Sequence, residues 1–319
     1  MYQERGKLTN YEIYQLACLK HLISGVTWVS DHIPHVVNDK FIPHMPIHVI
    51  SRYTLAHEVS SYDLKWGDPK TEHAKAQKEN MPFVTHIEEG FDEEAMKGID
   101  YLKEYGALTP HTVMVHGIAL SDQDIQDIAN AGAHLVWCPT SNKFMFDQTA
   151  DIKKWLDYKV NVSLGTDSPM SGSMNLLEEI QFATNIYEQM YGSKLTGRDV
   201  FSMITANPAK AFRIPAGDLN EGSPANFIIT HKTTENPYDN ILNLKLADIA
   251  LVVVSGKPIY GDFSFAPLVQ SLKIQHWKIE VEGEEKFLAV RGMLKLLKKV
   301  KTLLGYPKYL PFLPINIEV

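Results

Sequence analysis

Apolar residues recur at helical spacing over residues 11–23, the pattern stops at Ser24-Gly25, and Val26-Thr27-Trp28-Val29-Ser30 follows as a run of strand length. The same unit then returns. Pro46-Ile47-His48-Val49-Ile50 predicts a strand, a polar stretch runs through Lys78, and Pro82-Phe83-Val84-Thr85-His86 predicts the next strand. An amphipathic helix over 93–105, closed by Gly106, precedes the strand Thr112-Val113-Met114-Val115-His116. Ser121 caps a further helix with Asp124 in its first turn, ahead of His134-Leu135-Val136-Trp137-Cys138. Residues 152–158 lead in the same way to Val160-Asn161-Val162-Ser163-Leu164-Gly165. Such alternation predicts parallel strands joined by helical crossovers.

The pattern changes after helices over 176–189 and 196–203. Near Pro215 the texture turns β-rich: Ile228-Ile229, residues 249–254 and residues 258–260, separated by Gly222, Gly256 and Gly261, predict a short antiparallel meander. Over 284–304 the apolar residues Phe287, Leu288, Met293, Leu294, Leu297, Val300 and Leu304 alternate with lysines and predict a terminal amphipathic helix. Packing on the main domain or on a second subunit accounts for it better than lying on an acidic membrane surface.

An open doubly wound sheet and a closed eight-fold barrel both fit this alternation, and the polar residues choose between them. His86, His116, Ser141-Asn142 and Asp167 stand at or just past the carboxyl ends of different strands, as barrel sites do. No glycine-rich dinucleotide turn is found. The expected fold is therefore an α/β chain with a TIM-type (β/α)8 barrel over residues 1–214, a small β-sandwich portion over 215–265 and a helical extension over 266–319. One strand is clear between Val26–Ser30 and His86, where a full barrel has two, so the barrel is expected to be abbreviated or irregular there.

Composition narrows the partners. The net charge of −7, with acidic and basic residues interleaved and no basic stripe carrying aromatics in the first 280 residues, argues against nucleic acid. Cys18 and Cys138 lie far apart in apolar contexts, which fits a reducing, cytoplasmic setting. The polar opening decapeptide is unlike a secretion signal, and no apolar run approaches the roughly 20 residues of a membrane helix.

A single histidine ending a strand is ordinarily a structural residue. His86 followed by Glu89, His116 at the next strand end, and Thr166-Asp167-Ser168 two strands later form a set that is harder to explain that way. Imidazole and carboxylate are the ligands zinc or iron use, and the remaining groups suit proton transfer. Cys138 has no ordered histidine and acid partners, so a cysteine nucleophile is rejected.

Five motifs carry a resemblance: Thr85-His86-Ile87-Glu88-Glu89-Gly90, Val115-His116-Gly117, Trp137-Cys138-Pro139-Thr140-Ser141-Asn142, Gly165-Thr166-Asp167-Ser168 and Thr205-Ala206-Asn207-Pro208-Ala209. In this order they resemble the amidohydrolase superfamily, in particular its cytosine, guanine and adenosylhomocysteine-type deaminases and related chlorohydrolases. The resemblance implies a hydrolytic deaminase of an amino-substituted heterocycle, with chloride or an amine as the other leaving groups. His86 and Asp167 become ligands of one divalent metal, zinc before iron, with His116 a third ligand or the group that orients water. Glu89 becomes the proton shuttle and Asp167 the acceptor of the water's proton. Alternation along the strand puts Glu88 on the face of His86, whereas the family's acid stands at Glu89, and Glu88 then shapes the pocket. Ser168 is a further pocket residue. His32 and His35, in Asp31-His32-Ile33-Pro34-His35, and Arg52 and His57 after the next strand are candidate substrate contacts.

Relatives carry a His-x-His pair on a strand before the helix at 11–23, and this chain has no such pair. The expectation is a shortened member in which His32 or His35 substitutes as ligand, a fragment that needs an upstream strand, or a non-catalytic barrel that binds a small molecule or partner. A small-molecule substrate and a homodimer complete the expectations.

Overall fold

The computed structural model describes residues 6–31, 40–60, 66–303 and 310–317. His32 and His35 lie outside the described residues. The first helix, Asn10–Ile23, opens on a reciprocal cap in which the Thr9 hydroxyl accepts from the Glu12 N–H and the Glu12 carboxylate accepts from the Thr9 N–H. Gly25, at φ 84°, turns the chain into β1, Trp28–Val29. β1 pairs in parallel with β2, His48–Val49.

After a link of four residues, β3, Thr54–Glu58, begins. It lies inside the stretch read as polar, so two strand segments, and not one, stand between β1 and His86. The link from Ile50 to Tyr53 is far shorter than the dozen or more residues that return a chain to a parallel neighbour. No crossover helix stands at this junction.

From β3 onward the pattern holds. β4 (Phe83–Ile87), β5 (Thr112–His116), β6 (His134–Trp137) and β7 (Asn161–Leu164) join β3 in a five-stranded parallel sheet whose spatial order is the chain order. A doubly wound sheet reverses its order at a switch point, and this one does not. Helices Pro69–Glu79, Gly98–Glu104, Asp122–Ala131 and Ile152–Asp157 form the crossovers. One face of the sheet buries Val84 and Val113 with Ile50, Ala211 and Phe212, and Val115 and Val136 pack against them. This apolar floor lies beneath the strand ends that carry the polar residues.

His134, at the start of β6, is 4% exposed, and its burial lowers its pKa to about 4, with Lys210 and Arg213 adding to the effect. The unfolded chain, with a histidine of ordinary pKa near 6.5, then binds the extra proton, so stability is lost as pH falls from about 6.5 towards 4. Urea midpoints measured at pH 7 and pH 5 are expected to fall with acid, and His134→Gln to flatten that slope.

A second sheet follows, six-stranded and antiparallel, with order β13-β11-β12-β10-β9-β8. Its strands are β8 (Phe227–Thr230), β9 (Ile249–Val254), β10 (Lys257–Asp262), β11 (Trp277–Val281), β12 (Glu284–Leu288) and β13 (Ile315–Asn316). The expected helix over 284–304 is corrected: its first five residues are β12, and among the described residues the helix spans Met293–Leu303. The sheet therefore runs across the expected boundary at residue 265. The short helix buries Met293, Leu296 and Leu297, and Lys299 reaches back to Glu12 of the first helix at 2.6 Å, so its apolar face is used within the chain.

Lys286 of β12 is fully buried, donating to the carbonyls of Ala247 and Ile249 and to Asp262 at 2.5 Å. Removing one partner of such a pair strands the other charge. Lys286→Ala is expected to cost about 3 kcal/mol or more in a urea titration.

Candidate functional site

The site residues sit where the parallel strands end, and the backbone breaks strand alternation there. Glu88, His116 and Asp167 all adopt positive φ, at 48°, 76° and 53°. Side chains other than glycine enter this region at a cost and mostly where surrounding structure demands it. At Glu88 the consequence corrects the alternation argument. Its carboxylate turns away and, 2% exposed, accepts from the Ile99 N–H at 3.2 Å at the start of helix Gly98–Glu104. Gly98 makes the fit possible, since a Cβ there would lie 2.9 Å from Ile87 and 3.1 Å from Glu88. Glu89 then occupies the side on which His86 stands.

His86, Glu89 and His116 come together, with one donor atom of each within 4.8 Å of the others. The two imidazoles stack, centroids 5.1 Å apart and 15° from parallel, and Glu89 Oε1 lies 3.3 Å from His116 Nε2. Both rings are held through the far nitrogen. His86 Nδ1 donates to the His57 carbonyl at 2.6 Å, and His116 Nδ1 to Asn142 Oδ1 at 2.8 Å. In the neutral rings this leaves each Nε2 with its lone pair. Burial lowers the pKa of His116 and so favours the neutral ring. Burial, reinforced by Asp167 and Glu58, raises Glu89 to about 7.

Asp167 lies beside this group without joining it. Its carboxylate accepts from Ser141 Oγ at 2.5 Å and from Ser171 Oγ at 3.4 Å, while its charge acts on both Glu89 and His116. Ser141 and Asn142 are not in a loop. They open helix Pro139–Phe146, with the proline at its first position, so one helical turn holds Asp167 with one residue and His116 with the next.

Glu179 was not singled out by sequence. It is fully buried, its pKa raised by burial, and it accepts from the N–H groups of Thr140 and Ser173, tying the loop after β7 to this turn. Following Asn175 and Glu178 it reads as one more acid in a helix's first turn, and that ordinary pattern conceals it. Cys138 is 2% exposed and burial drives its thiol pKa well upward, which agrees with its rejection as a nucleophile.

The other candidates are placed less centrally. His57 belongs to β3 itself and not to a following loop; its ring stacks on His86 at 4.8 Å and its carbonyl orients that histidine. Arg52 is exposed in the link between β2 and β3. Ser168 accepts from the Met170 N–H at 3.2 Å and shapes the loop after β7.

Two imidazole nitrogens and a carboxylate are a nitrogen and oxygen donor set of the kind zinc takes. His116 Nε2 supplies the observation that fits: it is buried and makes no hydrogen bond among the described residues. A buried imidazole lone pair left so costs free energy unless an acceptor of that lone pair occupies the space.

Known proteins resemble this chain in sequence and in fold. Among sequence relatives, a 5-methylthioadenosine/S-adenosylhomocysteine deaminase of Pyrococcus abyssi is 30% identical over 200 residues, covering 60% of this chain and 44% of its own length. A 5'-deoxyadenosine deaminase of Methanococcus maripaludis is 30% identical over 204 residues, covering 59% and 48%. The chain thus spans about half the length of the curated relatives it matches. In fold it is similar to an adenosine deaminase from Xanthomonas campestris with bound zinc, at TM-score 0.74 and 14% identity over 95% of this chain and 77% of that one. Atrazine chlorohydrolase from Arthrobacter aurescens TC1, complexed with zinc, gives 0.68 and 15% over 92% and 76%. The sequence pattern of the amidohydrolase family matches residues 65–259, which take in His86, Glu89, His116, Asp167 and both sheets' first strands beyond β3. The chain belongs to the amidohydrolase family.

Proposed function

We propose that the chain is a zinc-dependent hydrolytic deaminase of an adenosine-like nucleoside, and that β1 to β7 are the strands of a TIM-type barrel with the site at its carboxyl end. The juxtaposition of His86, Glu89 and His116 carries this reading. The deaminase names of the sequence relatives support the substrate class.

His86 and His116 would hold the metal through Nε2, with Asp167 alongside as a further oxygen donor. Bound there, a divalent ion supplies Lewis-acid chemistry and makes hydroxide available at neutral pH. Glu89 carries the proton. With its pKa near 7 in the metal-free site it is poised to take a proton and to deliver one to the ring nitrogen of the heterocycle. Beside a bound cation Glu89 would stand ionised and act as a base first. Asp167, fixed by Ser141 and Ser171, accepts the second proton. The water oxygen ends bonded to the ring carbon, Asp167 passes its proton to the exocyclic amino group, the carbon–nitrogen bond breaks and ammonia departs.

Exposed Phe91, Phe144, Met145 and Met170 stand on segments that follow β4, β6 and β7, and they suit a substrate with an apolar substituent beyond its base. No helix among the described residues is long and apolar enough to cross a membrane. The test is ammonia release from adenosine and from 5'-deoxyadenosine by zinc-loaded chain. Release that requires zinc supports the proposal; a zinc-loaded, folded chain inert on both contradicts it.

A further inference from the structure

Four buried polar side chains run in a line behind the site. Trp137 Nε1 donates to Thr149 Oγ1 at 2.7 Å, Asn142 Nδ2 donates to the same oxygen at 3.1 Å, and Asn142 Oδ1 receives the His116 Nδ1–H at 2.8 Å. Trp137, Asn142 and His116 are at most 1% exposed and Thr149 is 9% exposed. Water therefore has little access to rearrange the chain.

The line has a direction. An indole N–H only donates, so Trp137 takes one lone pair of the Thr149 hydroxyl. Asn142 spends its amino group on the second lone pair, which turns its carbonyl oxygen to His116. An imidazole facing a carbonyl oxygen has to put its proton there, and a neutral ring has one proton to place. The opposite nitrogen, Nε2, is thereby left bare, 3.3 Å from Glu89 and within the group that includes His86. A reversed amide would present N–H to Nδ1 and move the proton to Nε2, closing that nitrogen to any electrophile.

We infer that Asn142 is a positioning residue that selects the Nδ1–H tautomer of His116, backed by Thr149 and Trp137, and so keeps Nε2 available to a metal. This rests on the metal reading of the site for its purpose, though not for its geometry. It adds a role to a residue that makes no contact with His86 or Glu89 in the described interactions. Outer partners of this kind tune metal affinity by roughly tenfold to a hundredfold.

The test is 15N NMR of the metal-free full chain labelled at histidine, with the His116 resonance assigned by its loss in His116→Gln. The wild type is expected to show Nδ1 protonated and Nε2 bare. Asn142→Leu is expected to shift the ring towards Nε2–H, while Asn142→Asp, which keeps an acceptor oxygen and can take a hydrogen bond from the Thr149 hydroxyl, retains Nδ1–H. Zinc affinity is expected to drop about tenfold or more in the leucine variant and to be held in the aspartate variant. The aspartate variant and near-ultraviolet circular dichroism guard against misfolding of the leucine variant. An Nε2–H ring in the wild type, or an Nδ1–H ring that survives in folded Asn142→Leu, overturns the inference. Failure of the metal reading shows separately, as a wild-type chain with the Nδ1–H ring that takes up no zinc.

Discussion

Glu89→Gln is expected to lower the rate of ammonia release by about a thousandfold while zinc content stays near that of the wild type. Positioned acid and base groups contribute roughly 10²- to 10⁴-fold, and glutamine keeps an oxygen donor in the same volume but cannot carry a proton. The neighbour provides the control. Glu88→Gln changes a carboxylate of equal size, one residue away, whose bond is to the Ile99 N–H, so its effect is expected on stability and not on turnover. Initial rates of ammonia release, with zinc content and urea midpoints measured on the same preparations, separate the two outcomes. Equal losses of rate in both variants would mean that the break in alternation at Glu88 does not select Glu89.

The second large effect is on the metal. His86→Ala removes one of two imidazole donors from the set His86, His116 and Asp167 that would hold the ion, and the remaining pair falls short of the three protein ligands usual at hydrolytic zinc. Retained zinc after dialysis is expected to fall more than about tenfold, an estimate from the size of ligand-shell effects. Elemental analysis of dialysed protein checks this, and retention equal to wild type would remove His86 from the site. His57→Ala should do far less, because it is the backbone carbonyl of His57 that orients His86.

How far the chain could be understood from its residues follows from where its polar groups point. β4 to β7 were legible because each is a short apolar run between a helix and a polar strand end, and the end residues His86, His116 and Asp167 lie close together. β3 was hidden because Thr54-Leu55-Ala56-His57-Glu58 ends on two polar residues and no helix separates it from β2. β12 was hidden for a related reason. Its Lys286 is buried on a carboxylate and two carbonyls, so a core position carried a charged residue and blended into the amphipathic pattern of the helix that follows. Helix Pro139–Phe146 was masked by Pro139-Thr140-Ser141-Asn142, four residues common in turns that also start helices.

Within the site, periodicity misplaced Glu88 because alternation assumes extended backbone, and at Glu88 and His116 the backbone is left-handed. Residue type alone could not show that Asn142 faces His116 or that Ser141 holds Asp167. Those contacts depend on a helix that reads as a loop.

In the site proposed above, His86 and His116 would bind one zinc ion through Nε2 beside Glu89. X-ray absorption at the zinc edge of the zinc-loaded chain tests it most directly. Two imidazole nitrogens with oxygen donors at about 2.0–2.2 Å are expected. A shell without imidazole scattering, or one dominated by sulfur at about 2.3 Å, would contradict it.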